Sequence, residues 1–485
     1  MKTISTFLFF ICIMLTTGIA QFSEDAVRYS VRGVGAGSRA LGMGNAYMGV
    51  SDDFSASLWN PAGLAQMRRL ELMGGISSNG ITNDATFFSK TQQSSTTATS
   101  VNNIGFVFPF PTLQGSFVVA FGYHRIADYS SAMTFDGFND KSSIISSLYD
   151  NDVHYDIPYN TYLTNPTGYT SVQKNVQQRG TIKEGGNLGA WSFAGAVDIE
   201  ENISIGLSLN VYSGLYEYTR NFLEEDTRNI YSNSSANLPS DSAYLRFNKF
   251  YYDSFVNSEL SGSSITIGMM YRSDFFRVGM VVKGPTSVKI EEAYSNEGQS
   301  VFDNTGGWAL LPKTEYKYSV PNDTVGPNEY GVQSPWTIGV GASLYLLPEL
   351  LIAIDIEQTD WTQIQWTDNP ALERTNIQLQ SKFRSVINYR IGAEFDVPST
   401  EFRIRGGLSV TPSPYKNDPS SFDQTLMTGG FGYFLQRNIM LDGAVAYGSY
   451  KTFRNQYSLS GTSDASRSNE SVSTTLFNFT VSYRF

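Results

Sequence analysis

At 485 residues with a formal net charge of -11, the chain is too acidic to suit a nucleic-acid partner, which needs basic grooves. Its charged fraction of 16% falls below the roughly one quarter usual for a soluble protein, while 14% aromatics and 43 glycines fit aromatic girdles around small lumen-facing residues. The length would suggest two or three soluble domains, yet no Pro-rich or Ser-rich linker divides the chain, and a single barrel with long loops accommodates it better.

Residues 1–20 read as a secretory signal peptide. Lys2 precedes the apolar run Phe7 to Leu15 and the small-residue exit Gly18-Ile19-Ala20, with cleavage expected before Gln21. The run is too short to cross a bilayer as a helix. Losing Lys2 moves the charge from -11 to -12. Cys12, the only cysteine, follows Ile11 inside this run, which argues against lipoprotein-type cleavage. The mature chain then forms no disulfide and holds no thiolate metal site. Beyond the leader no apolar stretch has spanning-helix length, so a membrane protein built from this chain has to be a β-barrel.

Residues 21–67 do not alternate in hydropathy. The stretch from Gly33 to Ala65 is dense in small residues and can fold inside a lumen where bulky side chains would not fit. A barrel of the size counted below would leave a water-filled bore unless something occupied it.

Residues 68–485 carry the barrel pattern. Strand side chains alternate between faces, and period-2 runs recur at Leu70 to Ser77, Ile104 to Phe108, Phe117 to Tyr123, Trp191 to Ile199, Ile203 to Val211, Ile265 to Tyr271 and Phe276 to Val282. They continue at Trp336 to Leu344, Leu350 to Ile356, Ile387 to Val397, Phe402 to Val410, Met427 to Leu435, Ile439 to Tyr447 and Phe477 to Phe485. These runs predict an all-β, transmembrane antiparallel barrel of about fourteen strands. Tight turns, such as Glu200 to Asn202 and Gln436-Arg437, alternate with long connections at Ile126 to Gly185, Thr219 to Gly262, Glu291 to Gln333, Thr411 to Asp423 and Phe453 to Ser471. That order matches short periplasmic turns and long extracellular loops.

On the wet face of these strands lie Asp355, Glu357, Arg390, Glu394, Arg403, Arg405 and Asp442. A charge on the lipid face at mid-membrane costs roughly 2–4 kcal/mol, so the lumen is their expected location. They are expected to brace the interior as an ion network, or else to contact a plug or a ligand's charged head. The closing strand puts Phe477, Phe479, Val481, Tyr483 and Phe485 on one face and Asn478, Thr480, Ser482 and Arg484 on the other. It is expected to zip onto the first strand and remove both edges, with Tyr483 and Phe485 serving as the signal to the barrel assembly machinery.

The stretch Ser38 to Ala65, with Ala40-Leu-Gly-Met-Gly44, Asp52-Asp53 and Asn60-Pro-Ala-Gly-Leu64, resembles the amino-terminal hatch of FadL-type outer-membrane transporters of long-chain fatty acids and aromatic hydrocarbons. Asp355-Ile-Glu-Gln-Thr-Asp-Trp361 and Tyr389-Arg-Ile-Gly-Ala-Glu-Phe395 resemble later strands of the same barrels. The resemblance implies localisation to a Gram-negative type outer membrane and a plugged barrel with no continuous water channel. It implies an apolar ligand caught by extracellular loops, held in an apolar pocket and released sideways into membrane lipid. In that family the Asn-Pro-Ala element faces the gap in the wall, which maps here to Asn60, Pro61 and Ala62. The gap depends on a kink in the third strand, which would lie around Val118 to Tyr123, with Gly122 able to permit it. Tyr149, Tyr155, Ile157, Tyr159, Tyr162 and Leu163 offer apolar loop surface for capture.

Other motifs are set aside. Gly35-x-Gly-x-x-Ala40 matches a loose dinucleotide fingerprint but lacks the flanking strand and helix. His124 and His154 lack metal-ligand spacing, and His124 has no evident serine partner for hydrolytic chemistry. Asp150 to Asp152 and Asp136 to Asp140 lack the spacing of a dedicated calcium loop. The expectation is a transporter and not an enzyme, without cofactor or metal; the alternative is a FadL-like barrel that docks a protein secretion or surface-attachment partner.

Overall fold

The computed structural model describes residues 23–30, 35–150, 156–165, 167–231, 246–303, 314–321, 328–459 and 465–485. The signal peptide, Tyr155, His154 and the pair Asn151-Asp152 lie outside the described residues, as do the side chains of Tyr149 and Asp150. Among the described residues nineteen strand segments join into one closed antiparallel sheet that forms a barrel of 14 staves. The first hairpin pairs β1 (Glu71–Phe87) with β2 (Lys90–Phe110), and the third stave is split into β3 (Phe117–Asp128) and β4 (Ser131–Asn139). Next come β5 (Val176–Glu200), β6 (Ile203–Glu225) and β7 (Phe247–Arg272). The seventh stave is β8 (Phe276–Lys283) and β9 (Ser287–Phe302), onto which β10 (Glu315–Pro321) folds back. The eighth is β11 (Asn328–Gln333) and β12 (Thr337–Leu347), and the ninth β13 (Leu350–Asp360) and β14 (Gln365–Thr367). Then β15 (Ser385–Asp396), β16 (Phe402–Thr411), β17 (Gln424–Gln436), β18 (Ile439–Asn455) and β19 (Arg467–Arg484) complete the ring.

Closure follows from the last strand. β19 pairs with β1 from Glu71↔Arg484 to Phe87↔Ser468, and Phe485 exchanges two backbone hydrogen bonds with Leu70. Phe477, Phe479, Val481, Tyr483 and Phe485 are exposed on the outer wall, while Asn478, Thr480 and Ser482 are buried inside. The same division holds on β6, where Ile205, Leu207, Leu209 and Val211 face out and Ser204, Ser208 and Asn210 face in.

The long connections expected from the sequence are largely strand. β5 runs 25 residues, about 80 Å at strand rise, against an apolar band about 25 Å tall. Much of Ile126 to Gly185, Thr219 to Gly262 and Glu291 to Gln333 therefore belongs to β4, β5, β6, β7, β9, β10 and β11. Likewise the polar residues between Ser77 and Ile104 form the upper part of the β1–β2 hairpin. Above the lipid the outer face meets water, so the backbone ladder continues without any need for alternating hydropathy. Thr411 to Asp423 remains a loop as expected.

Inside the barrel lie α1 (Ser23–Tyr29), α2 (Ser38–Gly42), α3 (Ala56–Trp59) and a 3-10 helix at Pro61–Gln66. Residues 35–67 are almost wholly buried and plug the lumen. Above them, α1 sits in an apolar cluster with Tyr129, Tyr212, Tyr216, Leu260, Tyr330 and Trp361. A second apolar cluster nearer the extracellular end gathers Phe87, Phe135 and Phe222 with the loop residues Ile144, Ile157 and Leu163.

Candidate functional site

Three features meet in the lumen: a plug clamped by charge, a wall with a broken ladder, and between them an aromatic chamber that α1 fills. The clamp comes first in the chain. Arg39, on α2, reaches Glu394 of β15 with two hydrogen bonds of 2.8 Å and also pairs with Asp52. Glu394 is held in turn by Arg405 at 2.6 Å, and Arg405 by Asp442 at 2.5 Å. Asp355 accepts the backbone N–H groups of Tyr47 and Met48 at 2.8 and 2.9 Å, so a wall carboxylate ties down plug backbone. Glu357 bridges Arg390 at 2.9 Å and Lys283 at 2.8 Å, and Arg403 pairs with Asp396 at 2.8 Å. The seven lumen charges read from strand parity thus fall inside, and Asp355 and Glu394 act on the plug directly.

Two partners of this system had no signal in the strand pattern. Glu71, fully buried at the start of β1, accepts Arg484 Nε at 2.5 Å and the Phe54 N–H at 2.8 Å, joining barrel closure to the plug. Glu184 on β5 gathers Arg28 at 3.4 Å, Arg454 at 3.3 Å and the Tyr216 hydroxyl at 3.1 Å above the plug.

The Asn60-Pro61-Ala62 turn is built for close packing. Asn60 accepts from the Ala62 N–H at 3.1 Å and donates to the Met48 and Met269 carbonyls at 3.0 and 3.3 Å, while Pro61 starts the 3-10 helix with φ already set. A methyl group at Gly268 of β7 would stand 2.1 Å from Asn60 Oδ1, and one at Gly206 of β6 would stand 2.3 Å from the Pro61 carbonyl carbon. Only glycine lets the wall approach this turn. The turn therefore faces β6, β7 and β8, while the helix it opens continues towards the third stave, with Leu64 and Ala65 clustered beside Val118 and Ala120. Asn60→Ala removes three hydrogen bonds and leaves buried carbonyls unpaired, at about 1–3 kcal/mol. Hydrogen exchange at Ala62 is expected to quicken about tenfold or more while the β6 and β7 amides stay protected; unchanged exchange at Ala62 would show that Pro61 and the glycines hold the turn alone.

The wall is interrupted at the third stave. β2 exchanges backbone pairs with β3 only from Phe110↔Phe117 up to Asn103↔His124. Above that point the stave pairs with β5 alone, through a register shift between Arg125 and Ala127 and a break at Tyr129-Ser130. Side chains bridge the resulting seam higher up, Ser94 to Thr134 at 3.0 Å and Lys90 to Asp136. Gly122 lies below it, in continuous register with Gly105 and Ser192. The register shift is a bulge: Ile126 and Ala127 are consecutive yet both buried.

At the foot of the seam the plug supplies what the sequence did not reveal. Ser57 Oγ lies 2.7 Å from His124 Nε2 and 2.9 Å from the Phe54 carbonyl oxygen. The histidine therefore has a serine partner after all, brought across from the plug, with its ring stacked on Phe54 at 4.4 Å. The single serine proton can go to the Phe54 carbonyl or to His124 Nε2, and the histidine tautomer decides which. The pair is a plug-to-wall contact.

Ile126, Ala127 and Tyr129 also line the aromatic chamber around α1. There Tyr29 meets Tyr129 and Tyr216 edge to face, with centroids 6.5 and 5.7 Å apart. Seam and chamber thus share a wall.

A family model described as outer membrane protein transport protein (OMPP1/FadL/TodX) matches residues 190–485. The fold is similar to that of the CymD monoaromatic hydrocarbon channel, with a TM-score of 0.51 and 16% identity over 93% of this chain and 98% of that one. It is similar to a Pseudomonas aeruginosa FadL homologue, with a TM-score of 0.55 and 11% identity over 94% and 100% of the two chains. The P. putida toluene transporter TodX gives a TM-score of 0.55 and 13% identity over 94% and 99%. No curated protein matches in sequence.

Proposed function

Since the chain belongs to the OMPP1/FadL/TodX family of outer membrane transport proteins, we propose that it passes hydrophobic small molecules passively through the seam above Asn103 and His124 into the outer membrane. Members of the family are channels for hydrophobic compounds, not enzymes, and reside in the outer membrane of Gram-negative type cells. The observation that carries the reading is the bulge at Ile126-Ala127, whose residues border both the chamber and the unpaired seam. Residues 21–67 serve as the hatch that denies the ligand a straight water path, with the Asn60-Pro61-Ala62 turn as its fixed corner.

Thermodynamics favours the sideways route. An apolar chain gains roughly 0.8 kcal/mol per buried methylene, so release into water would be uphill while release into lipid is not. Long-chain fatty acids and aromatic hydrocarbons are the cargo classes in view, the latter in keeping with the named cargo of CymD and TodX. Membrane lipid receives the cargo, and the terminal Tyr483 and Phe485 present the closing strand to the assembly machinery. The structures this fold resembles are channels for apolar compounds, which does not favour the alternative of a secretion dock.

Expression in a host lacking its own channels of this kind is expected to accelerate initial uptake of labelled toluene or palmitate severalfold and to leave uptake of a small sugar unchanged. Equal acceleration of both would mean a water-filled bore, and no acceleration of either apolar compound would end the reading.

A further inference from the structure

The chamber, filled by α1, carries polar groups as well as apolar surface. Tyr29, Tyr129 and Tyr216 form a triangle of rings, each pair edge to face, with Tyr129 and Tyr216 centroids 5.6 Å apart. This is the arrangement in which the positive edge of one ring meets the negative face of the next. One corner of the triangle, Tyr29, belongs to helix α1 and not to the wall.

Its hydroxyl ends in a polar relay. Tyr29 donates to Ser258 Oγ at 3.3 Å, Ser258 donates to Glu292 Oε2 at 3.2 Å, and the same carboxylate oxygen accepts Tyr330 at 2.8 Å. With Ser258 donating to the Glu292 carboxylate, its own oxygen is left to accept from a neutral hydroxyl. A plain hydrocarbon in the same place would leave Ser258 facing a carbon atom, which forfeits a buried hydrogen bond. A second observation points the same way: the Tyr129 hydroxyl is buried within the chamber and has no hydrogen-bond partner among the described residues.

We propose that this chamber is a recognition site for a neutral aromatic ring carrying one hydroxyl group, and that Tyr29 is its built-in occupant. The wall residues supply two ring faces or edges from Tyr129 and Tyr216, and one hydrogen-bond acceptor at Ser258 backed by Glu292. The ligand exchanges with Tyr29 and so reaches the seam beside Ile126, Ala127 and Tyr129. The proposal rests on the channel reading above and adds the chemical class of the cargo.

The probe is p-cresol, the free form of the tyrosine side chain, compared with toluene and octanoate. Binding is followed in the detergent-purified full barrel by the fluorescence of Trp361 and Trp366, which belong to the same cluster. In Tyr29→Ala, p-cresol is expected to bind about tenfold more tightly than toluene, since the two differ by one hydrogen bond into a buried site. Octanoate is expected to bind weakest. Adding Ser258→Ala should erase the preference for p-cresol. As a measure that needs no variant, unmodified protein in vesicles should carry p-cresol faster than toluene relative to protein-free vesicles.

Equal affinities for p-cresol and toluene, together with equal transport, would overturn hydroxyl recognition while leaving a channel for apolar compounds in place. Tightest binding of octanoate would overturn it too. Failure of every probe to be carried would remove the channel reading itself, and this proposal with it.

Discussion

Arg39→Ala is expected to convert a closed barrel into one that passes ions in bursts across a planar bilayer. Arg39 is the plug's principal anchor to the later staves, with two hydrogen bonds to Glu394 and an ion pair to Asp52. Removing one partner of a buried pair costs about 3–5 kcal/mol. Here the lower figure applies, because Arg405 continues to neutralise Glu394 at 2.6 Å. Even about 3 kcal/mol raises the population with a displaced plug roughly a hundredfold. Arg39→Lys, which keeps a cation between Glu394 and Asp52, should quieten most of the bursts. Traces from Arg39→Ala that match the parent would mean that the plug is held by packing alone. The clamp also has a sign with pH. Burial pushes the Asp52 carboxyl up, yet Arg39, Arg277 and Arg484 more than offset it and hold the group below its ordinary value of 3.8. A carboxylate depressed in this way stabilises the folded state above its unfolded value and loses that contribution as pH falls through the lower folded value. The Asp52 contribution to closure should therefore stay whole from neutral pH down to about 4 and be lost only in stronger acid.

How much of this was legible in the sequence depended on what surrounds each residue. Where lipid touches the wall, every second side chain has to be apolar, so runs such as Ile203 to Val211 and Phe477 to Phe485 declared themselves. Where the wall continues above the lipid, that demand ceases, and the upper parts of β5, β6 and β7 read as loop although their ladders are unbroken. Lumen charges were readable by parity, but their partners were not. Nothing near Asp355 in the sequence points to the Tyr47 and Met48 amides, and nothing near His124 points to Ser57. Strand parity says which way a side chain faces without saying what it meets. The third stave shows the limit most plainly. Glycine permits a kink, which points to Gly122. The register shift instead lies at Ile126-Ala127, where two apolar neighbours precede Asp128 and inward parity passes from even to odd positions. That slip in parity was present in the sequence.

The seam itself makes the second large prediction. Ala127 is buried at the bulge, pairs across β5 with Leu188, and contributes to the chamber wall beside Tyr129. Its small side chain leaves the shortest boundary between the aromatic box and the unpaired edge above His124. In Ala127→Trp the added indole occupies that boundary. The backbone pairs to β5 do not involve the side chain, so the barrel should assemble and remain heat-modifiable. Forcing a passing ligand past an overfilled position costs about 1–3 kcal/mol, which slows transit roughly 5- to 150-fold. A matched substitution on the lipid face far from the third stave, Leu346→Trp, should leave uptake unchanged, since Leu346 is exposed on the opposite run of the wall. The comparison separates a block at the seam from a general effect of adding an aromatic ring. If toluene uptake by assembled Ala127→Trp equals that of the parent, the ligand does not pass between β2 and the third stave. The unpaired edge above Asn103 and His124 would then be a structural interruption that the side-chain bridges at Ser94–Thr134 and Lys90–Asp136 keep shut.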